Sequence, residues 1–274
     1  MRAGLLAGRI GAVLLTALAV GAVAGPWLLS TDGRERLAAP YAPPSADRWL
    51  GADDLGRDLF AQLVIGARGS LGIALLVALA ATTIAALVGG LAGLAPPWAA
   101  GIVMRVVDLV LALPFLPLLI LAAAFLGPTL GVRAAVVAAL VWAGPARLIR
   151  AGVLAAWSRG HLQAARAMGA SAWYLLLRHA SPVVAPLLVP VFVRAAMTAI
   201  VLDASLAFLG LGDPTSPSWG TMIHWASVRG AMLTDAWLWW ALPPGLAIVL
   251  TVTALALVGV ATEDRLNPTL RQAR

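Results

Sequence analysis

Leu162 to Pro182 reads LQAARAMGASAWYLLLRHASP. It is the longest polar interruption after the first third of the chain, and it holds Arg166, Arg178 and His179 without an acid. Its first part reads as a short helix ended by Gly169. Its second part reads as an amphipathic turn and helix ended by Pro182. The sequence on either side is too apolar for a soluble domain. Of 274 residues, 61% are hydrophobic and 11% are charged, whereas soluble domains carry about 25% charged residues. Mean hydropathy is +0.93. A charged helical pair between apolar helices marks an all-α membrane protein with a cytoplasmic contact to make.

Six apolar stretches flank this segment: Ile10–Leu29, Leu71–Leu94, Ile102–Leu126, Val132–Ala146, Val183–Leu211 and Trp240–Ala261. About 20 apolar residues cross the hydrocarbon layer as a helix, so six spans are expected, the fourth a short one. Ala22-Val23-Ala24 resembles a signal-cleavage site, but the apolar run before it exceeds the roughly 7–15 residues of a signal core, which favours a retained helix. Arg147, Arg150, Arg159, Arg166 and Arg178 occur with no acid between Arg147 and Pro182. Such a loop is cytoplasmic by the positive-inside rule. Counting spans from it places both termini in the cytoplasm. The expected divisions are 1–29 (start and first span), 30–70 (external loop), 71–262 (core of five spans, including cytoplasmic loop 147–182) and 263–274 (cytoplasmic tail).

Local features refine this picture. Residues 52–58 begin like an acidic calcium loop but lack its D-x-D-x-D-G spacing and final Glu. Asp53 or Asp54 reads as the N-cap of a helix along the membrane surface. Gly89 and Gly93 allow close helix approach in lipid. Arg105 and Asp108 share a helix face and read as a mutual ion pair. Pro114 and Pro117 are expected to kink the third span. Trp219, Trp225, Trp237 and Trp239 fit an interfacial belt in the outer loop.

All 19 basic residues are arginine, which excludes a phosphate-loop lysine and hence an ordinary ATP site. No cysteine is present, so disulfides and thiolate metal sites are excluded. His161, His179 and His224 are scattered, and no catalytic or metal-ligand motif occurs. The net charge of +7 reads as cytoplasmic arginine rather than as a nucleic-acid surface. Asp203 lies inside the fifth apolar segment. An acid there faces a bundle interior or an aqueous path, so a path or gating role stands beside local hydrogen bonding. Arg194 is about 13 Å away along a straight helix, too far to pair. Gln163, Ala164 and Ala165 give a thin helix surface able to enter a groove on a partner. An ordinary amphipathic surface loop is the plainer reading.

Gln163-Ala164-Ala165 followed by Gly169 and Pro182 resembles the EAA loop of ATP-binding-cassette importer permeases, which docks on a cytoplasmic ATPase. Trp49-Leu50-Gly51-Ala52-Asp53-Asp54-Leu55-Gly56-Arg57-Asp58 resembles the WLGTDxLGRD segment of the dipeptide/oligopeptide/nickel branch. Ser205-Leu206-Ala207-Phe208-Leu209-Gly210-Leu211-Gly212 with Pro217-Ser218-Trp219-Gly220 resembles that branch's SLSFLGLG…PSWG. Arg105, Asp108 and Pro114 also fit.

The resemblance runs from about Tyr41 to Pro268. It implies a type I importer permease fold in the cytoplasmic membrane and the C-type partner of a B-type permease. Two cytoplasmic ATPases would carry ATP and Mg, and an external binding protein would deliver peptides, or nickel or another small solute. This chain itself would bind no cofactor and catalyse nothing. The resemblance assigns Gln163, Ala164, Ala165, Arg166 and Gly169 to ATPase coupling, and Asp203 and Phe208 to the path or its gating. Gln163 departs from the family's acid, and the sixth span ends in a less polar Val258–Thr262. A secondary transporter working alone, with Asp203 as its ion site, and a scaffolding membrane protein are the readings of other classes.

Overall fold

The computed structural model describes residues 2–29, 33–127, 129–157, 181–213 and 215–266, with isolated positions between 160 and 178. Those residues are almost entirely helical, and two isolated bridges (Arg36 with Arg57, Ala52 with Asp58) are the extended pairings among them. The helices are α1 (Arg2–Leu28), α2 (Leu59–Leu94), α3 (Pro97–Ala112), α4 (Phe115–Leu126), α5 (Leu130–Val141), α6 (Ala143–Trp157), α7 (Ser181–Leu206), α8 (Trp219–Val228), the single turn α9 (Trp237–Trp240) and α10 (Leu242–Leu266). Four helices are long and apolar enough to cross a membrane. The count rises to six when α3 with α4, bent by 83°, and α5 with α6, bent by 46°, are each taken as one span.

α2 is the central post. It begins at Leu59 rather than Leu71, so a helix occupies the last part of the expected 30–70 loop. Asp58 is its N-cap, with Oδ1 accepting from the Phe60 and Ala61 amides. Asp53 does a different job from the expected capping of a surface helix. Its Oδ1 accepts from the Leu55 and Arg57 amides, and its Oδ2 from Gln62 Nε2 at 2.9 Å. It thus closes the turn that feeds α2. At 36 residues, α2 is about 54 Å long at 1.5 Å per residue, well beyond the hydrocarbon layer.

Small residues set how closely the other helices pack on α2. A Cβ on Gly89 would lie 2.4 Å from the Ala146 carbonyl oxygen, and one on Gly93 would lie 2.7 Å from Val153 Cβ. The spaced glycines therefore seat α6. Ala74, Ala78 and Ala81 of α2 are buried in one cluster with Ala195, Ala196 and Ile200 of α7. Without a hydrophobic difference between lipid and side chains, this close van der Waals contact holds spanning helices together.

Proline positions explain several ends. Pro26 lacks the amide that would bond the Ala22 carbonyl. Arg68 of α2 fills the gap, its Nε donating to Ala22 O and its Nη2 to Val23 O, each at 2.7 Å. The fourth span, expected to end at Ala146, does not stop there. Pro145 falls in the first turn of α6, where no helical amide bond is lost, and the helix continues to Trp157. Pro182 likewise lies in the first turn of α7.

Candidate functional site

The lobe beside the start of α2 is built from the two quoted motif regions. In residues 33–58, Gly51 and Gly56 take φ of +66° and +76°, and a Cβ on Gly56 would come 2.1 Å from the Ala38 carbonyl oxygen. Tyr41 donates its hydroxyl to the Arg229 carbonyl at 2.7 Å. Asp54 pairs with Arg229 at 3.3 Å. Partial burial, and then the charge of Asp53, push the Asp54 carboxyl above its ordinary range, against the pull of Arg229. The loop thus clamps the end of α8.

The second motif locks α8 to the spans. Ser218 caps α8, and Ser218 and Thr221 form a reciprocal capping box. Trp219 is 1% exposed, with its amide donating to Ser70 Oγ and its Nε1 to the Leu63 carbonyl. It is a core residue, not a member of an interfacial belt; Trp225 and Trp237 remain partly exposed. A Cβ on Gly220 would lie 2.7 Å from Ala204 Cα, so glycine lets α8 meet α7. Between the two halves of the second motif, the Thr215 side-chain and backbone hydrogen bonds hold the Asp213 carboxyl below its ordinary range.

α7 ends in a break. A widened turn covers Ala207–Leu211, with Gly210 at φ +84°. Freed from helical bonding, the Phe208 carbonyl accepts from His224 Nδ1 at 2.8 Å. The Phe208 side chain is 46% exposed. A cavity of about 340 Å³ opens here, lined by Ala123, Gly127, Gly210, His224 and Trp225 among others.

Asp203 sits on the last turns of α7 at 2% exposure. Its partner is Arg133 of α5, with Nη1 2.5 Å from Oδ1 and both side chains almost wholly buried. Arg133 was not singled out by sequence. It is the one charged residue of the fourth apolar stretch, and two opposite charges left over in separate spans were the signal available. The Arg105–Asp108 pairing expected from spacing is replaced by a pair between Asp108 of α3 and Arg147 of α6.

Gln163, Ala164, Ala165 and Arg166 lie outside the described residues. Gly169 is described, at φ +86°, beside Met168, which is 81% exposed. Among the described residues no group of three or more His, Asp or Glu is placed to hold a metal.

A bundle of up to six apolar spans, with glycine-seated helices, a buried charge pair between spans and a clamped lobe, defines a multi-pass helical membrane protein. Residues 85–272 match the family described as binding-protein-dependent transport system inner membrane component, and the chain belongs to that family. It is similar over 260 residues, at 37% identity, to a putative peptide permease protein of Brucella ovis, with 94% of this chain and 85% of the relative covered. It is 35% identical over 262 residues to a probable D,D-dipeptide transport system permease protein of Escherichia coli K12, covering 94% and 86%. It is 38% identical over 231 residues to a glutathione transport system permease protein of Pectobacterium atrosepticum, covering 83% and 75%. The protein is thus an inner-membrane permease component of a binding-protein-dependent importer.

Proposed function

We propose that the substrate is a short peptide and that the chain is one of two permeases forming the path. Two cytoplasmic ATPases would power it, and an external binding protein would load it. The carrying observation is that relatives aligned over nearly the whole chain are named for peptides, a D,D-dipeptide and glutathione, all compounds with peptide-like amide linkages. Both termini and the loop between α6 and α7 are assigned to the cytoplasm, where the arginines of that loop belong. Gln163, Ala164, Ala165, Arg166 and Gly169 are assigned to ATPase docking. ATP would act on this loop and shift the population between inward- and outward-facing states.

Phe208, exposed at the break of α7, is assigned to the path. Asp203 is assigned to the frame of that path, because its charge is already met by Arg133. The same pairing weighs against a secondary transporter, which would need a free ionisable group in the membrane.

Affinity purification of the tagged chain tests the assembly. It should recover an ATPase, a second permease and, with substrate, the binding protein. Uptake of labelled dipeptides by the reconstituted assembly tests the substrate. Recovery of the chain alone, or nickel uptake without dipeptide uptake, would overturn the corresponding half of the proposal.

A further inference from the structure

Two spans of this protein are bent rods lying side by side, and one charged pair joins them. α3 and α4 meet at 83°, and α5 and α6 at 46°. Asp108 lies five residues before the first bend at Leu113, and Arg147 five residues after the second at Trp142. The Arg147 Nη2 atom donates to Asp108 Oδ1. The pair therefore bridges α3 and α6, the two arms on the side of the segment that joins α6 to α7. Both side chains stay about half exposed, at 52% for Arg147 and 44% for Asp108.

The other ion pair of the spans behaves differently. Arg133 holds α5 to α7 through a contact hidden from solvent. A buried pair is costly to break, whereas an exposed pair adds little to overall stability, so the Asp108–Arg147 bridge can set the spacing of the two arms without being needed for the bundle to fold. The bent α5–α6 rod is thus tied to α7 through one arm and to α3 through the other.

α3 has little else to hold it. Of its 16 residues, Ala100 and Val107 are the buried ones, whereas α6 buries Ile149 and Val153 in a cluster with Ala85 of α2. Charge also singles out the pair, since Asp108 is the one acid on the two arms, among Arg105, Arg147 and Arg150. The bends supply the pivots. Pro114 has no amide with which to continue the α3 ladder, and the α5 ladder is interrupted at Trp142.

We infer that Asp108 and Arg147 are positioning residues that make α3 and α6 move as one body, so that displacement of the loop after α6 is carried to the third span. This rests on the proposed role of that loop in ATPase docking. Neither residue needs to touch the solute.

The protein has no cysteine, so paired spin labels can be introduced cleanly at Ile102→Cys on α3 and Leu154→Cys on α6, both exposed. Distances are read in the assembled transporter in lipid nanodiscs, without nucleotide and after trapping with ATP and vanadate. In the parent the arm-to-arm distance is expected to stay within the roughly 1–2 Å of a packed-helix shift in both conditions. Asp108→Asn and Arg147→Gln should broaden or lengthen it even without nucleotide. Asp108→Arg should also do so, and adding Arg147→Asp should restore the parental distribution.

A static brace would leave ATP-driven uptake at the parental rate in the neutral variants, whereas a tie that carries displacement to the third span loses uptake in Asp108→Asn and Arg147→Gln and regains it when the charges are exchanged. The reciprocal double variant is therefore also scored for dialanine uptake, with at least half of the parental rate expected. An arm-to-arm distance that changes on trapping in the parent overturns the inference, as do neutral variants with the parental distribution. An assembly without bound ATPase fails the docking proposal instead, and the nucleotide-free distances still decide whether the pair ties the arms.

Discussion

Asp203 and Arg133 contribute through each other, and their value is best read from what happens when one is removed. Taking away one member of a buried ion pair leaves an uncompensated charge and costs about 3–5 kcal/mol, whereas replacing both with apolar groups is often neutral. Asp203→Leu and Arg133→Leu should each lower the unfolding temperature of the detergent-solubilised assembly sharply. The double replacement should recover most of the loss. Additive losses in the double variant would mean that the two residues serve separate partners. The sequence reading found half of this pair. An acid inside an apolar segment is conspicuous because its burial is expensive. Arg133, the second residue of the short apolar stretch that begins at Val132, reads instead as an ordinary boundary residue. The 70-residue separation leaves no local spacing to reveal the match, and the same holds for Asp108, whose nearest arginine in sequence is not its partner. The glycines of the lobe before α2 were legible only as motif letters. Their positive φ angles and backbone contacts give the physical reason that glycine stands there.

At the scale of the helix, α2 illustrates what apolar periodicity does and does not carry. Its transmembrane half was legible because an uninterrupted apolar run admits no other placement. Its start was not, because Asp53, Asp54 and Asp58 are all acceptable caps, and only the fold assigns the turn to the first and the cap to the last. The bends show a similar limit. Prolines announce a kink, and Pro145, which cannot donate to the Val141 carbonyl where α5 ends, marks the second bend as Pro114 marks the first, but the angles of 83° and 46° depend on how the arms pack. The glycines of α2 provide a clean test of helix seating. A side chain at Gly93 would strike Val153 and one at Gly89 the Ala146 backbone, while Gly90 has nothing within 4 Å of its notional Cβ. Overpacking of this kind costs about 1–3 kcal/mol. Replacing a helical glycine where space is free gains roughly 0.5–1 kcal/mol. Gly93→Val should therefore reduce thermal stability and yield, and Gly90→Ala should preserve or raise both. Equal behaviour of the two variants would show that α6 does not seat on this glycine face.

For the molecule as a whole, the question is where energy enters. The chain has no lysine with which to build an ordinary nucleotide site. In the assembly proposed above, work arrives from partner ATPases through an element joined directly to the spans. The segment between α6 and α7 meets that requirement, since it connects the arm tied to α3 with the helix that carries Asp203 and the broken turn at Phe208. Gly169 in this segment holds φ +86°, a value closed to proline, whose ring fixes φ near −65°. Gly169→Pro should abolish ATP-driven dipeptide uptake while the protein still inserts and is recovered from membranes. Gln163→Arg should do the same by placing a charge where the family carries an acid or, here, a neutral amide. Because a glutamine forgoes the charge-assisted bond, which is about twice as strong as a neutral one, Gln163→Glu should keep or strengthen ATPase retention during purification. Proteoliposome uptake and ATPase recovery read the three variants together. Full uptake in both Gly169→Pro and Gln163→Arg would remove this loop from the transmission route, and the tie between α3 and α6 would then be a static brace.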